Sequence, residues 1–221
     1  MRLLFNAIVK FACGLLLVGG LIFIPAGALD YPNGWLFVCL LFVPMLVLGS
    51  VLLIKAPDLL KKRLDSKEKE SVQKSIVALS GILFLLGFIL AGLDYRFSWS
   101  CVPMWAVAVA SVILILAYAM YAEVMRENAY LSRTIKVEKD QKVIDSGLYG
   151  VVRHPMYMST VLLFLTIPIV LGSWYAVIPF ACYPMIIVVR ILNEEKVLES
   201  ELEGYSEYKK KVKYRLLPFI W

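Results

Sequence analysis

The chain has 221 residues, of which 61% are hydrophobic and 18% charged, with a mean hydropathy of +0.77 and a formal charge of +6. A soluble domain of this length carries about a quarter charged residues and keeps polar groups at its surface, so the composition excludes one. Nucleic acid is not the reason for the basic excess: 22 of the 23 Lys and Arg precede the first apolar block, fall within 55–74 or 126–153, or lie from Arg190 onward, and Arg96 alone lies elsewhere.

Uncharged apolar blocks follow one another at 11–29, 35–54, 76–93, 101–122 and 155–189. A helix rises about 1.5 Å per residue and the hydrocarbon slab is about 30 Å thick, so roughly 20 apolar residues cross it. Each of the first four blocks therefore reads as one span. The first has no small-residue cleavage site before Asp30 and reads as a retained helix rather than a signal peptide. It pairs with the second through a turn at Tyr31-Pro32-Asn33-Gly34, with Tyr31 and Trp35 at interfacial depth. The mixed-charge stretch 55–74 reads as a solvated connector containing a short surface helix. The fourth span runs on beyond the membrane through Glu123, Arg126 and Glu127. The last block is interrupted at Pro168 and has a turn at 171–174, leaving two arms of roughly 22 Å each. Such short arms fit an irregular helical hairpin packed within protein.

Six crossings put both termini on one side, and the distribution of Lys and Arg makes that side the cytoplasm, with 30–34, 94–100 and 172–174 facing away. Residues 134–146 alternate partly and read as extended chain or a small hairpin, 190–213 as a charged helix. The apolar end at 216–221 is expected to dock on the bilayer interface or on the protein's own site. The fold expected is thus an all-α polytopic membrane protein of about six transmembrane segments, the last two a short irregular hairpin, followed by a cytoplasmic C-terminal helix. Residues 1–125 form a membrane domain of four spans and 126–221 a catalytic region.

The four cysteines, Cys13, Cys39, Cys101 and Cys182, lie in apolar blocks without a C-x-x-C pair and read as small buried hydrophobes. With His154 as the single histidine, multi-histidine metal sites are excluded and no metal is expected; neither a P-loop nor a G-x-G-x-x-G is present. Chemistry is better sought where polar residues meet the membrane boundary. Residues 147–157 enter the final hairpin and Arg190, Asn193, Glu194 and Glu195 leave it. A hairpin returns the chain to the side it left, so the two clusters should meet. Pro155 suits a first helical turn, which puts His154 at the cap and Tyr157 one turn in, while Arg190 and Glu194 at i, i+4 share a face. Two readings stay open on spacing alone. One is a helical ion pair beside a satisfied cap. The other is a cytoplasm-facing pocket with one cation, carboxylates, an imidazole and a phenol, opening toward lipid.

The order Gly147-x5-Arg153-His154-Pro155-x-Tyr157, an apolar hairpin, Arg190-x3-Glu194-Glu195, then Gly204-Tyr205-Ser206-Glu207-Tyr208, a basic run and Leu217-Pro218-Phe219 resembles the isoprenylcysteine carboxyl methyltransferase family. More distantly it is similar to the phospholipid N-methyltransferases. The resemblance covers about 126–221, the earlier spans matching only in character. It implies an integral membrane methyltransferase using S-adenosylmethionine, with Tyr149, His154, Pro155, Met156, Tyr157 and Glu194 binding the cofactor and Val143 and Ile144 bordering its adenosine end. It assigns Arg190 to the substrate. Ser159 departs from the family, in which a glycine often stands there.

Methyl transfer from a sulfonium is a direct displacement, so such a site mainly aligns the reactants and excludes water. Glu194 would accept hydrogen bonds from the cofactor, His154 and Tyr157 would hold its polar edge, and Arg190 suits an acceptor carboxylate or phosphate. A carboxylate acceptor needs no base; an amine or thiol does, and Glu195 or Tyr157 is then the candidate. The expected partners are a lipophilic or lipid-modified substrate and membrane lipid. Phospholipid N-methylation is the alternative within this chemistry. A sterol-type reductase shares distant architecture without added nicotinamide features, and a small transporter or scaffold would need polar residues near mid-bilayer, where Asn6, Ser50, Ser111 and Thr166 are few.

Overall fold

The computed structural model describes residues 2–64, 71–131, 137 and 140–221, and these contain helices and loops but no strand. Helices α1 (Arg2–Ala26) and α2 (Pro32–Lys55) form the first hairpin. The chain turns earlier than 31–34: Gly27 leaves α1 at φ +65 and Pro32 already stands in the first turn of α2. Glycine is favoured in that left-handed position and proline in a helix start, where its missing N–H is not needed. Trp35 is half exposed, but Tyr31 is buried and donates its hydroxyl to the Leu171 carbonyl. The short surface helix is present as α3 (Pro57–Leu64), which turns Leu59 and Leu60 into a cluster with Leu52, Val124 and Tyr149. The rest of that connector, 65–70, lies outside the described residues.

Helices α4 (Ser71–Phe97) and α5 (Met104–Glu127) form the second hairpin, with α5 continuing through Glu123 and Arg126 as expected. Helix α6 (Pro155–Val170) keeps Pro168 in its last turn, so the proline does not divide it. A turn with Gly172 at φ +78 leads to α7 (Val177–Ala181) and α8 (Tyr183–Glu201). Helix α6 has 16 residues, about 24 Å, and the apolar return arm to Val189 continues without a break as the charged helix expected from Arg190, so that 177–201 spans 25 residues. Five helices are long and apolar enough to cross a membrane, and α6 is the shorter sixth. The single charged helix expected over 190–213 is broken at Gly204, φ +83, before α9 (Tyr205–Lys211).

These helices are apolar on nearly every face, and the faces directed away from the bundle carry large exposed hydrophobics such as Leu16, Ile54 and Met104, as lipid-facing surfaces do. The four cysteines are exposed rather than buried; hydrocarbon solvates a small apolar thiol as readily as a core does. Inside, α1 packs along α4 and α5 along α6. At Gly92 a Cβ would lie 2.6 Å from the Ile22 carbonyl oxygen, so the close approach of α1 to α4 depends on the missing side chain.

A polar clasp fastens the end of the bundle away from the termini. Asp94, placed in a link by the sequence but lying in the last turn of α4, is buried; its carboxylate accepts the Ser100 N–H at 2.7 Å and the hydroxyls of Ser100 and Ser173. Trp174 Nε1 donates to the Cys101 carbonyl at 3.1 Å, and Ile169 packs on Val102 and Val107. Helix α6 therefore ends level with the start of α5. Because α5 has 24 residues against 16, it overshoots α6 by about eight residues, roughly 12 Å, at the opposite end. That overhang makes a recess.

Candidate active site

The recess is entered through the 3-10 turn Gly147–Gly150. Gly147 is at φ +55, and a Cβ built there would lie 1.5 Å from Glu127 Oε1. Only glycine allows the Glu127 carboxylate at the end of α5 to come close enough to accept the Leu148 N–H at 3.1 Å. Tyr149 is thereby drawn under α5, where its hydroxyl accepts from Asn128 Nδ2 at 2.9 Å and its carbonyl from the Tyr208 hydroxyl at 2.8 Å. Burial, above all, pushes the Tyr149 phenol up from its ordinary pKa and keeps it neutral.

Pro155 occupies the first turn of α6 with His154 as its cap residue, as the spacing requires. One turn in, Tyr157 bridges the two arms of the hairpin: Arg190 Nε donates to its hydroxyl oxygen at 2.8 Å, and that hydroxyl donates to Glu194 Oε2. The two clusters predicted to meet do so, and Arg190 and Glu194 are linked through the phenol. The His154 ring stacks beside Tyr157 at 5.7 Å between centroids. Ser159 is fully buried and donates its hydroxyl to the Met156 carbonyl at 2.7 Å, so its extra atoms are absorbed within α6.

Glu195 faces the other way. Its Oε1 accepts from Arg153 Nε at 2.7 Å and lies 3.4 Å from His154 Nε2, while its Oε2 accepts from Arg215 Nε at 2.9 Å. Arg153 also donates to the carbonyls of Val212 and Lys213, at 2.7 and 2.9 Å, and the Arg153 and His154 N–H groups donate to Tyr214 and Arg215, each at 2.9 Å. This cluster sews the Arg153-His154 segment, α8 and the C-terminal stretch together. The apolar end docks on the protein's own site through Leu216, which packs with Tyr157, Tyr183 and Ile187, whereas Phe219 and Ile220 are exposed.

Between these elements lies a partly open cleft. Val143, Ile144, Tyr149, His154, Met156, Tyr157, Arg190 and Glu194 line it; Pro155 and Glu195 do not. Residues 141–145 are loop, described as neither helix nor strand, and are tied to α9 by Lys211 Nζ on Asp145 at 2.6 Å; 134–136 and 138–139 lie outside the described residues. Sequence reasoning gave no site role to Asn128, Arg153, Tyr205 and Tyr208, which also line the cleft. The two tyrosines carried a signal, since i, i+3 spacing after a glycine puts both on one face; Asn128 carried none. The Tyr205 hydroxyl is buried and has no hydrogen-bond partner among the described residues.

Residues 107–200 match the sequence model of the isoprenylcysteine carboxyl methyltransferase family. Among solved structures, that of the eukaryotic intramembrane Ras methyltransferase, an isoprenylcysteine carboxyl methyltransferase without a monobody, is similar over 97% of this chain and 77% of its own, with a TM-score of 0.57 and 21% identity. No curated protein sequence matches the chain. The family's sequence pattern thus lies across the hairpin that forms the cleft, and the fold of this integral membrane chain is similar along nearly its whole length to that of the intramembrane methyltransferase.

Proposed function

We propose that the chain transfers a methyl group from S-adenosylmethionine to a carboxylate on a lipophilic acceptor at the cytoplasmic leaflet. The observation that carries this reading is the Arg190, Tyr157 and Glu194 relay beside His154, held in one cleft by both arms of the hairpin. The residues present fit the cofactor. Among the described residues Glu194 is hydrogen-bonded by Tyr157 alone, through Oε2, which leaves Oε1 to accept from an ammonium or ribose hydroxyls. Tyr149, Val143 and Ile144 supply an aromatic and apolar wall for a flat heterocycle.

When bound, S-adenosylmethionine supplies an electrophilic methyl group on a sulfonium. The chain's own contribution is alignment and exclusion of water. Arg190 stays cationic and pairs with the acceptor carboxylate while steadying Tyr157. No proton needs to be removed from such an acceptor. An amine would need a base; Glu195 has both oxygens engaged by guanidinium groups and Tyr157 holds its proton as a donor to Glu194, which favours carboxylate over phospholipid N-methylation. In this reading Glu195 is a positioning residue.

Calorimetric titration of the purified protein with S-adenosylmethionine is the test. Glu194→Ala is expected to abolish binding, and Arg190→Ala to leave it measurable while removing turnover. Absence of heat at millimolar cofactor with the unaltered protein, or equal loss of binding in both variants, overturns the reading.

A further inference from the structure

Tyr205 opens α9 directly behind Gly204, where the left-handed φ of +83 redirects the chain from α8 toward the cleft. Its ring is 4% exposed, packs with Leu202, Tyr208 and Val143, and lines the cleft. Tyr208, on the same face, has its hydroxyl satisfied by the Tyr149 carbonyl at 2.8 Å. The Tyr205 hydroxyl is sealed from solvent and, among the described residues, has no partner.

A buried hydroxyl left unpaired costs about 1–3 kcal/mol, and phenylalanine would fill the same space without that cost. Burial, with the carboxylates of Glu195 and Glu194 adding to it, pushes the phenol well above its ordinary pKa, so the group remains a neutral donor. The helix that carries it is anchored by Tyr208 to Tyr149 and by Lys211 to Asp145. A neutral donor in the wall of a cleft, with no acceptor among the described residues, is suited to a ligand that presents one.

We propose that Tyr205 is a binding residue for the methyl donor, its hydroxyl donating a hydrogen bond to an acceptor atom of bound S-adenosylmethionine. The inference rests on the function proposed above. Because the ring already lines the cleft, a small displacement of the wall as the donor seats brings the hydroxyl into reach.

The test compares Tyr205→Phe and Tyr208→Phe in the full chain, by S-adenosylmethionine titration and by thermal melting without cofactor. Tyr205→Phe removes an unsatisfied group from the cofactor-free protein, so its melting midpoint is expected to hold or rise. Its affinity for S-adenosylmethionine is expected to fall about 3- to 10-fold, the worth of one hydrogen bond. Tyr208→Phe breaks a satisfied bond and is expected to lower the midpoint. Unchanged affinity in Tyr205→Phe, with the unaltered protein binding normally, overturns the proposal; so does a lowered midpoint accompanying weaker binding, which marks a structural role. If the unaltered protein binds no S-adenosylmethionine, the proposed function fails first.

Discussion

Replacing Glu195 with alanine separates a positioning role from a proton-transfer role. The carboxylate and its partner Arg153 have side chains only 4% and 3% exposed and meet at 2.7 Å. Arg215 closes on the other oxygen at 2.9 Å from a more exposed position. Removing one member of a buried pair strands the other charge in a medium that solvates it poorly, at a cost of about 3–5 kcal/mol. For a chain of this size each kcal/mol moves the melting midpoint by about 2–4 °C, so Glu195→Ala should melt roughly 6–20 °C below the unaltered protein. Tryptophan fluorescence during heating in detergent reads this directly. Glu195→Gln, which keeps one acceptor but turns an amide NH₂ toward a guanidinium, should fall between the two. Arg153→Ala combined with Glu195→Ala should cost less than the sum of the single changes, as coupled partners do. A midpoint within about 2 °C of the unaltered protein, with turnover abolished, would refute the reasoning and make Glu195 the base.

Gly147→Ala should destabilise by about 1–3 kcal/mol, since it combines a left-handed backbone with a Cβ placed 1.5 Å from Glu127 Oε1. Adding Glu127→Ala should recover part of that loss by removing the overlap but not the backbone strain, as thermal melts would reveal; no recovery argues against the contact. Asp94→Ala strips the acceptor from the Ser100 and Ser173 hydroxyls and should cost at least about 1.5–3 kcal/mol. As the clasp lies a helix length from the cleft, cofactor affinity should hold; weakened binding with an unchanged midpoint contradicts this division.

The order of the long helices was legible because 20-residue apolar blocks leave little choice. So was the meeting of Tyr157 with Arg190 and Glu194, which follows from hairpin closure and helical spacing. Composition misled at the cysteines, because a lipid-facing surface and a protein core select the same side chains. It also hid the break at Gly204 that separates α8 from α9 within the charged stretch. Residues whose role depends on contacts far along the chain carried no local pattern. Asn128 reaches Tyr149 and Glu127 reaches Leu148, each 21 positions on, and Arg153 reaches Val212, 59 positions on. Only the folded chain pairs them.

If the chain acts as proposed, the eight-residue difference between α5 and α6 would set the depth at which chemistry occurs. His154 and Tyr157, at the start of α6, would put the floor of the cleft nearer the lipid than the end of α5, with Tyr205 and Tyr208 of α9 in its wall. A tailed acceptor of the proposed reaction would there leave its hydrocarbon among the acyl chains. Extraction into water would cost about 0.8 kcal/mol for every methylene, so a dozen carbons would add roughly 10 kcal/mol to any encounter at a site raised to the level of the α5 terminus. A helix shortened by two turns would spare each turnover that ascent.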